Sequence, residues 1–400
     1  MPKLLIINIT CNQGSTGKIS EQIGVLMKEQ GWDVYYAHGA RRVNSSKLKT
    51  ILVGSKMSEY IHALKGRLFD AEGYGSTKAT RSLIYEIKKI SPDIVHIHNV
   101  HGYYLNFTLL FNCLKEMHIP VVWTLHDCWS FTGRCAYFDY PKCDKWKDGC
   151  GNCSFLSKYP STLWIDKSGK HYEDKVRTFT GFEYLHLVPV SEWLSSLIKQ
   201  SFLSVYPIHV FHNGIDLSVF HPYPKKSDAF FEILAVSNIW DERKGLDDIV
   251  SLRSLLSDEY KITVVGLTKK QIKNLPMGIK GIASTNSQSD LAKLYSQADV
   301  LINPTYEDNF PTVNLEALAC GTPVITYNTG GSPEAIDIKT GVIIDKGDVE
   351  AMAEEIIKMK NSPLSSNDCR DRALRFFDKN ECFKAYVLLF KKILSERNLL

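Results

Sequence analysis

Four hundred residues are more than one hydrophobic core usually holds, so two domains are the first expectation. With 44% hydrophobic and 23% charged residues the composition is that of a globular protein, which excludes disordered and fibrous classes, and a net charge of +4 is too small to suggest a nucleic-acid partner. No run of eighteen apolar residues occurs, and Lys3 leads straight into a short apolar strand without a signal-peptide cleavage pattern, so a cytoplasmic protein is expected.

From the N-terminus to about Phe211, short apolar runs alternate with amphipathic stretches, the pattern of parallel strands covered by crossover helices. Strands are expected at Leu4–Thr10, Asp33–His38, Asp93–His98, Val121–His126, Leu185–Val190 and Ile208–His212, and helices at Lys18–Gln30, Thr77–Ile90 and Ser191–Phe202. Residues 127–175 interrupt this rhythm with a Cys-, Tyr-, Trp- and Lys-rich insertion. His221–Asp228, with two prolines beside two lysines, reads as a linker.

The α/β rhythm then resumes. Strands are expected at Phe231–Ser237, Lys261–Gly266, Val300–Pro304 and Pro323–Tyr327, and helices at Gly245–Leu256, Ser289–Ala298 and Thr312–Cys320. The expected organisation is a Rossmann-like domain over 1–222, a second over 223–377, and a final helix over 378–400 that crosses back to the first. Residues 1–222 carry 25 Lys and Arg against 19 Asp and Glu, while 223–400 carry 23 against 25. The excess in the first part reads either as scattered solvated charge or as attraction to an anionic membrane surface.

Four sequence features carry chemistry. The loop Asn12–Ser20 follows the first strand and opens a helix, but it lacks the first glycine of a P-loop or dinucleotide fingerprint. What survives is generic: Gly14 and Gly17 allow close backbone approach at a helix N-terminus suited to an anion. His98, His101 and His126 stand at or just beyond strand C-termini, where open α/β sheets bind ligands; His126, followed by Asp127, is the best placed.

Cys135, Cys143, Cys150 and Cys153 form a C-x7-C-x6-C-x2-C series. We read it first as a structural zinc site with no open position for substrate, with free reduced thiols and disulfides as the alternatives. The fourth feature spans Thr305–Ile336. Here Asp308 lies in a turn before a helix that starts near Pro311, and Glu316 lies within that helix, so two carboxylates can face one cavity beside N–H groups suited to a diphosphate.

This last stretch resembles the signature of glycosyltransferase family 4, retaining enzymes of the GT-B fold: two acids eight positions apart, then Gly-x-Pro-Val-Ile and Gly-Gly-x-Pro-Glu. Asp308 takes the place of the first glutamate, with Glu307 one position early. Further marks recur in order, namely Gly14, Pro92–Asn99, Thr124–Asp127, Val188–Leu194 and His212–Pro222. Ser237–Leu246 resembles the family's phosphate clamp: Lys244 matches its lysine, Asn238 stands at its arginine, and Arg243 is the candidate for the missing charge.

The resemblance implies an α/β protein of two Rossmann-like doubly wound domains facing across a cleft. It further implies a metal-independent transfer of sugar from a nucleotide-sugar donor to a glycan or lipid-linked acceptor, as in bacterial capsular or exopolysaccharide synthesis, with peripheral contact at the cytoplasmic membrane face. Lys244 and Arg243 would neutralise the leaving diphosphate, Glu316 would hold the ribose, Asp308 the transferred sugar, and His126 the sugar near its reacting carbon. Gly14, Asn238, Asn309, Phe310, Pro311 and Thr312 would complete the donor site. The alternative is a non-catalytic nucleotide-sugar or glycan-binding protein of the same fold.

Overall fold

A computed structural model describes residues 1–225 and 230–397; Lys226, Ser227 and Asp228 of the expected linker lie outside them. The chain forms two compact units, Met1–Phe211 with the segment from Phe383 onward, and His212–Cys382.

In the first unit the order is β1 (Lys3–Asn8), α1 (Gly14–Glu29), β2 (Asp33–His38), β3 (Lys49–Leu52), α2 (Lys56–Phe69), α3 (Thr77–Ile90), β4 (Ile94–Ile97), α4 (Phe107–Glu116), β5 (Val121–Leu125), α5 (Ser168–Phe179), β6 (Leu185–Pro189) and α6 (Glu192–Ile198). The strands form one parallel sheet in the order β3-β2-β1-β4-β5-β6. β4 and β5 are buried along their whole length, with His96 and Thr124 as their polar residues, and β1 is buried from Leu4 onward, which is why Leu4–Ile7 reads as a continuous apolar run.

The second unit contains β7 (Phe231–Val236), α7 (Leu246–Leu255), β8 (Tyr260–Val265), α8 (Lys269–Lys273), β9 (Ile279–Ile282), α9 (Gln288–Gln297), β10 (Val300–Asn303), α10 (Thr312–Ala319), β11 (Val324–Tyr327), β12 (Gly341–Ile344), α11 (Val349–Asn361) and α12 (Ser366–Phe376). Its parallel sheet runs β12-β11-β10-β7-β8-β9. Both sheets therefore reverse direction next to their first strand, between β1 and β4 and between β7 and β10, and the crevice outside the strand C-termini at such a point is where ligands bind.

Several expectations change. Ile208–His212 is not a full strand: it runs beside β6 with one β-bridge, Leu187 to Ile208, and backbone hydrogen bonds from Leu187 N to the Pro207 carbonyl (2.9 Å), from His209 N to the Leu187 carbonyl (2.9 Å) and from Phe211 N to the Pro189 carbonyl (3.2 Å). The unit boundary lies after Phe211, because Asn213 donates to the Phe310 carbonyl (3.4 Å) and Arg370 donates to the carbonyls of Phe220 (2.8 Å) and Leu217 (3.4 Å). The final helix, α13 (Lys379–Arg397), joins the first unit from Phe383: Tyr386 Oη lies 3.1 Å from Thr124 Oγ1, and the Phe390 ring lies 5.3 Å from that of His96. Among the described residues no helix is long and apolar enough to cross a membrane.

The insertion ends at Lys167, since α5 starts at Ser168. Polar ties to the sheet's helices hold it instead of strands. Lys175, buried on α5, donates to the carbonyls of Trp129 (2.6 Å) and Thr132 (3.0 Å) and lies 3.4 Å from the centre of the Trp129 ring. Arg134 pairs with Asp70 at 3.1 Å, both buried. Trp146 packs on Phe131 and Phe138, so these three aromatic rings of the insertion are core.

Candidate functional site

In the second unit the loop from β10 to α10 carries the expected donor residues. Gly330, at φ 52°, has no room for a Cβ, which would lie 1.7 Å from the Asp308 carbonyl oxygen. The Gly330–Gly331 turn therefore lies flat against Asp308, and Gly331 N donates to the same oxygen at 3.3 Å. Asp308 Oδ2 forms an ion pair with Lys244 Nζ, both partly exposed. Glu307 points inward, with only 1% of its surface accessible.

Arg243 is tied to the same loop from behind. It donates from Nη1 to the Glu307 carbonyl (2.7 Å), while its own carbonyl accepts from Tyr306 N (2.8 Å). The expected supplier of the missing clamp charge is thus bonded to backbone, while Asn238 is exposed in the turn after β7. α10 begins after Pro311 with no side-chain cap and no acid in its first turn, leaving its first N–H groups and positive dipole end for an anion. Glu316, two-thirds of the way along α10, accepts from Tyr295 Oη at 2.9 Å.

Asn309, Phe310 and Pro311 are buried and shape the loop, and Thr312 is half-buried. Phe310 stacks on His212 at 4.6 Å, and His212 Nε2 lies 2.9 Å from Glu334 Oε2. The His212–Glu334 pair escaped sequence reasoning. The available signal was that both lie in stretches already singled out, His212–Pro222 and the Gly-Gly-x-Pro-Glu turn.

In the first unit Gly14 opens α1 at φ 69° and is exposed, with nothing within 4 Å of where a Cβ would stand. His126 follows β5. Its Nε2 shares a 2.9 Å hydrogen bond with His98 Nδ1, and the two rings stack 14° apart. Burial holds the His126 imidazole down at about 4, against the pull of Asp127, so the ring is neutral near pH 7.

His101 has the opposite fate. Burial disfavours its charged form, but the Asp127 carboxylate, 2.7 Å from Nε2, raises its pKa above the ordinary value, and His101 in turn lowers that of Asp127. Tyr159 of the insertion reaches His101 Nδ1 at 2.8 Å. His98, His101, His126 and Asp127 are among the residues lining a small hollow at the strand ends.

The four cysteines of the series lie together in the insertion, each partly exposed. Among the described residues no group of three or more His, Cys, Asp or Glu side chains is arranged to hold a metal ion. Cys135 and Cys153 share a side-chain hydrogen bond, Cys150 Sγ accepts from Gly133 N at 3.1 Å, and none of the four is in a disulfide. The hydrogen bond from Cys135 draws the Cys153 pKa down to about 6.

Two doubly wound parallel sheets, each with polar and charged side chains at its strand ends, define an α/β enzyme of the GT-B fold. Residues 25–219 match the model of Glycosyltransferase Family 4 and residues 231–362 that of Glycosyl transferases group 1. A glycosyl transferase assigned to colanic acid biosynthesis in Escherichia coli (strain K12) is 24% identical over 369 residues, covering 86% of this chain and 88% of the relative. Sucrose-phosphate synthase from Thermosynechococcus elongatus shares the fold at TM-score 0.71 and 15% identity, covering 99% of this chain and 100% of that one. Anabaena HepE in complex with UDP-glucose does so at TM-score 0.66 and 12% identity, covering 98% and 99%. The chain belongs to the family 4 glycosyltransferases, and it is an enzyme of glycosyl transfer.

Proposed function

We propose that the protein moves a sugar, with retention of anomeric configuration, from a nucleotide-sugar donor to a glycan or lipid-linked acceptor in the synthesis of a bacterial surface polysaccharide. The observation that carries this reading is the Lys244–Asp308 ion pair, with the uncapped start of α10 opened by the same loop. An ammonium and a set of free N–H groups suit a diphosphate, and a carboxylate suits sugar hydroxyls. The colanic acid relative and the UDP-glucose complex of HepE support the polysaccharide and the donor class respectively.

In this reading Lys244 and the α10 N-terminus stabilise the diphosphate as negative charge develops on it, and the departing phosphate oxygen takes the acceptor's proton. Glu316 holds the ribose and Asp308 the transferred hexose. Neutral His126 contacts the hexose as a hydrogen-bonding group, not as a cation. The enzyme acts in the cytoplasm, in peripheral contact with the membrane that carries its acceptor.

The test is a thermal-shift screen over uridine and guanosine diphosphate sugars, followed by assay of nucleoside diphosphate release. A ligand that binds only the native state raises the melting temperature with its concentration. Saturable binding with no release of diphosphate in the presence of any glycan or lipid acceptor would replace this reading with that of a binding protein.

A further inference from the structure

We infer that α2, with the neighbouring tip of the insertion, is a docking surface for an anionic lipid bilayer. The inference deepens the peripheral membrane contact proposed above and is independent of the transfer chemistry.

α2 is amphipathic in the inverted sense. The side it buries is polar or small: Glu59 accepts from Arg41 Nε (2.6 Å) and from Ala40 N, His62 Nε2 accepts from Gly75 N (2.9 Å), and Gly66 lies where a Cβ would come within 2.8 Å of the Tyr103 ring. The side it turns outward is apolar. Met57, Tyr60, Ile61 and Leu64 recur at helical spacing along one stripe and are 49–67% exposed. An ordinary surface helix does the reverse, and nothing in the unit's own folding rewards this arrangement.

The insertion extends the stripe. Leu163 N and Thr162 Oγ1 donate to the Arg67 carbonyl at the end of α2 (3.0 and 3.2 Å), which sets Leu163 and the 69% exposed Trp164 beside that helix. A large aromatic ring next to exposed aliphatic side chains suits the headgroup boundary.

Charge identifies the occupant. The exposed ionic groups of α2 are Lys56, Lys65 and Arg67, and its one acid, Glu59, is buried on Arg41. Asp166 is the exposed acid next to Trp164, and it accepts from the backbone of Cys153 and Ser168. A second copy of the chain meeting this face symmetrically would set lysines and arginine against themselves. Anionic lipid meets both the apolar stripe and the basic flanks.

The experiment is flotation of the full chain with vesicles of phosphatidylcholine containing about one quarter phosphatidylglycerol, and with phosphatidylcholine alone. The wild type should float with the anionic vesicles, less so at raised ionic strength. Ile61→Glu/Leu64→Glu and Lys65→Glu/Arg67→Glu should each cut the bound fraction about tenfold. Melting temperature and nucleotide-sugar hydrolysis in detergent-free buffer should not change, because these side chains are already exposed.

If the wild type floats and the α2 variants float equally well, this surface is not the dock although membrane contact stands. If the wild type does not float, the membrane reading falls with it. A wild type that is dimeric, becomes monomeric on Ile61→Glu/Leu64→Glu and ignores vesicles would assign the face to self-association and overturn the proposal. Failure of donor turnover with retained flotation would instead count against the transferase reading alone.

Discussion

Lys244 Nζ is ion-paired with Asp308 Oδ2, so the two residues expected to handle the diphosphate and the sugar are each other's counter-ions. The pair joins the turn after β7 to the loop before α10, and a diphosphate competing for the ammonium must share or displace the carboxylate. Lys244→Ala should therefore weaken binding of free nucleoside diphosphate by about tenfold or more, the scale of a hydrogen bond to a charged group. Titration calorimetry with uridine and guanosine diphosphates reads this directly, and an unchanged Kd would remove Lys244 from the site.

Asp308 and Glu307 should separate by kind of effect. Asp308 is accessible at the loop surface whereas Glu307 is buried. Asp308→Asn should lower kcat by about a hundredfold while leaving the melting temperature within a degree or two. Asp308→Glu should retain activity. Glu307→Gln should act first on stability. A wild-type rate for Asp308→Asn beside a dead but folded Glu307→Gln would make Glu307 the working acid.

The hydroxyl of Tyr295 occupies one lone pair of Glu316 at 2.9 Å and fixes the direction in which the carboxylate points. A ribose contact does not change between ground and transition state, so Glu316→Gln should raise the donor KM more than it lowers kcat. Tyr295→Phe should do the same more weakly, by about twofold to tenfold in KM. Steady-state kinetics on both variants decides, and a fall in kcat at constant KM would contradict the ribose assignment.

The His101–Asp127 pair makes a pH prediction. His101 has its folded pKa raised above 6.5, so its contribution is fully present below that value and is lost as pH rises through the raised pKa. Asp127 has its pKa lowered from 3.8, so its contribution is present above 3.8 and is lost as pH falls through the lowered value. Between these limits His101→Gln should cost about 3 kcal/mol, and the cost should shrink as pH rises through the raised His101 pKa. Denaturant melts of both proteins over a series of pH values from neutral upward test this, and a pH-independent difference would show that the ion pair is not its source.

Cys153 should be the most readily alkylated of the ten cysteines near neutral pH, because the Cys135 hydrogen bond favours its thiolate. Mass spectrometry after brief iodoacetamide treatment measures the order of modification. Protection of Cys135, Cys143, Cys150 and Cys153 together by added zinc, reversed by a chelator, would instead establish the metal centre suggested by their spacing.

The central strands were legible in the sequence because strands buried on both faces leave predominantly apolar runs, unbroken over Leu4–Ile7 of β1 and interrupted only by His96 in β4 and Thr124 in β5. The edge strands β3 and β9 were not, since a half-exposed Lys-Thr-Ile-Leu or Ile-Lys-Gly-Ile has no such mark. Ile208–His212 had the mark but forms only one bridge and a few backbone hydrogen bonds to β6, short of a full strand. Asp308 and Glu316 could be read because they are local to one loop and helix. Their partners Lys244 and Tyr295 stand 64 and 21 residues away, and strand order, which local pattern does not encode, brings them together.

The return of α13 gives the molecule a particular order of birth. The side chains of Trp32 and His96 face Phe390, and Thr124 faces Tyr386, so the nascent first unit lacks part of its core until the far end of the chain has left the ribosome. At about 5–20 residues per second the whole second unit is made in the interval, leaving that apolar seam open to chaperones for on the order of ten to thirty seconds. A chain that stops just after Cys382 would carry an intact second unit attached to a first one whose Trp32, His96 and Thr124 never meet their partners on α13.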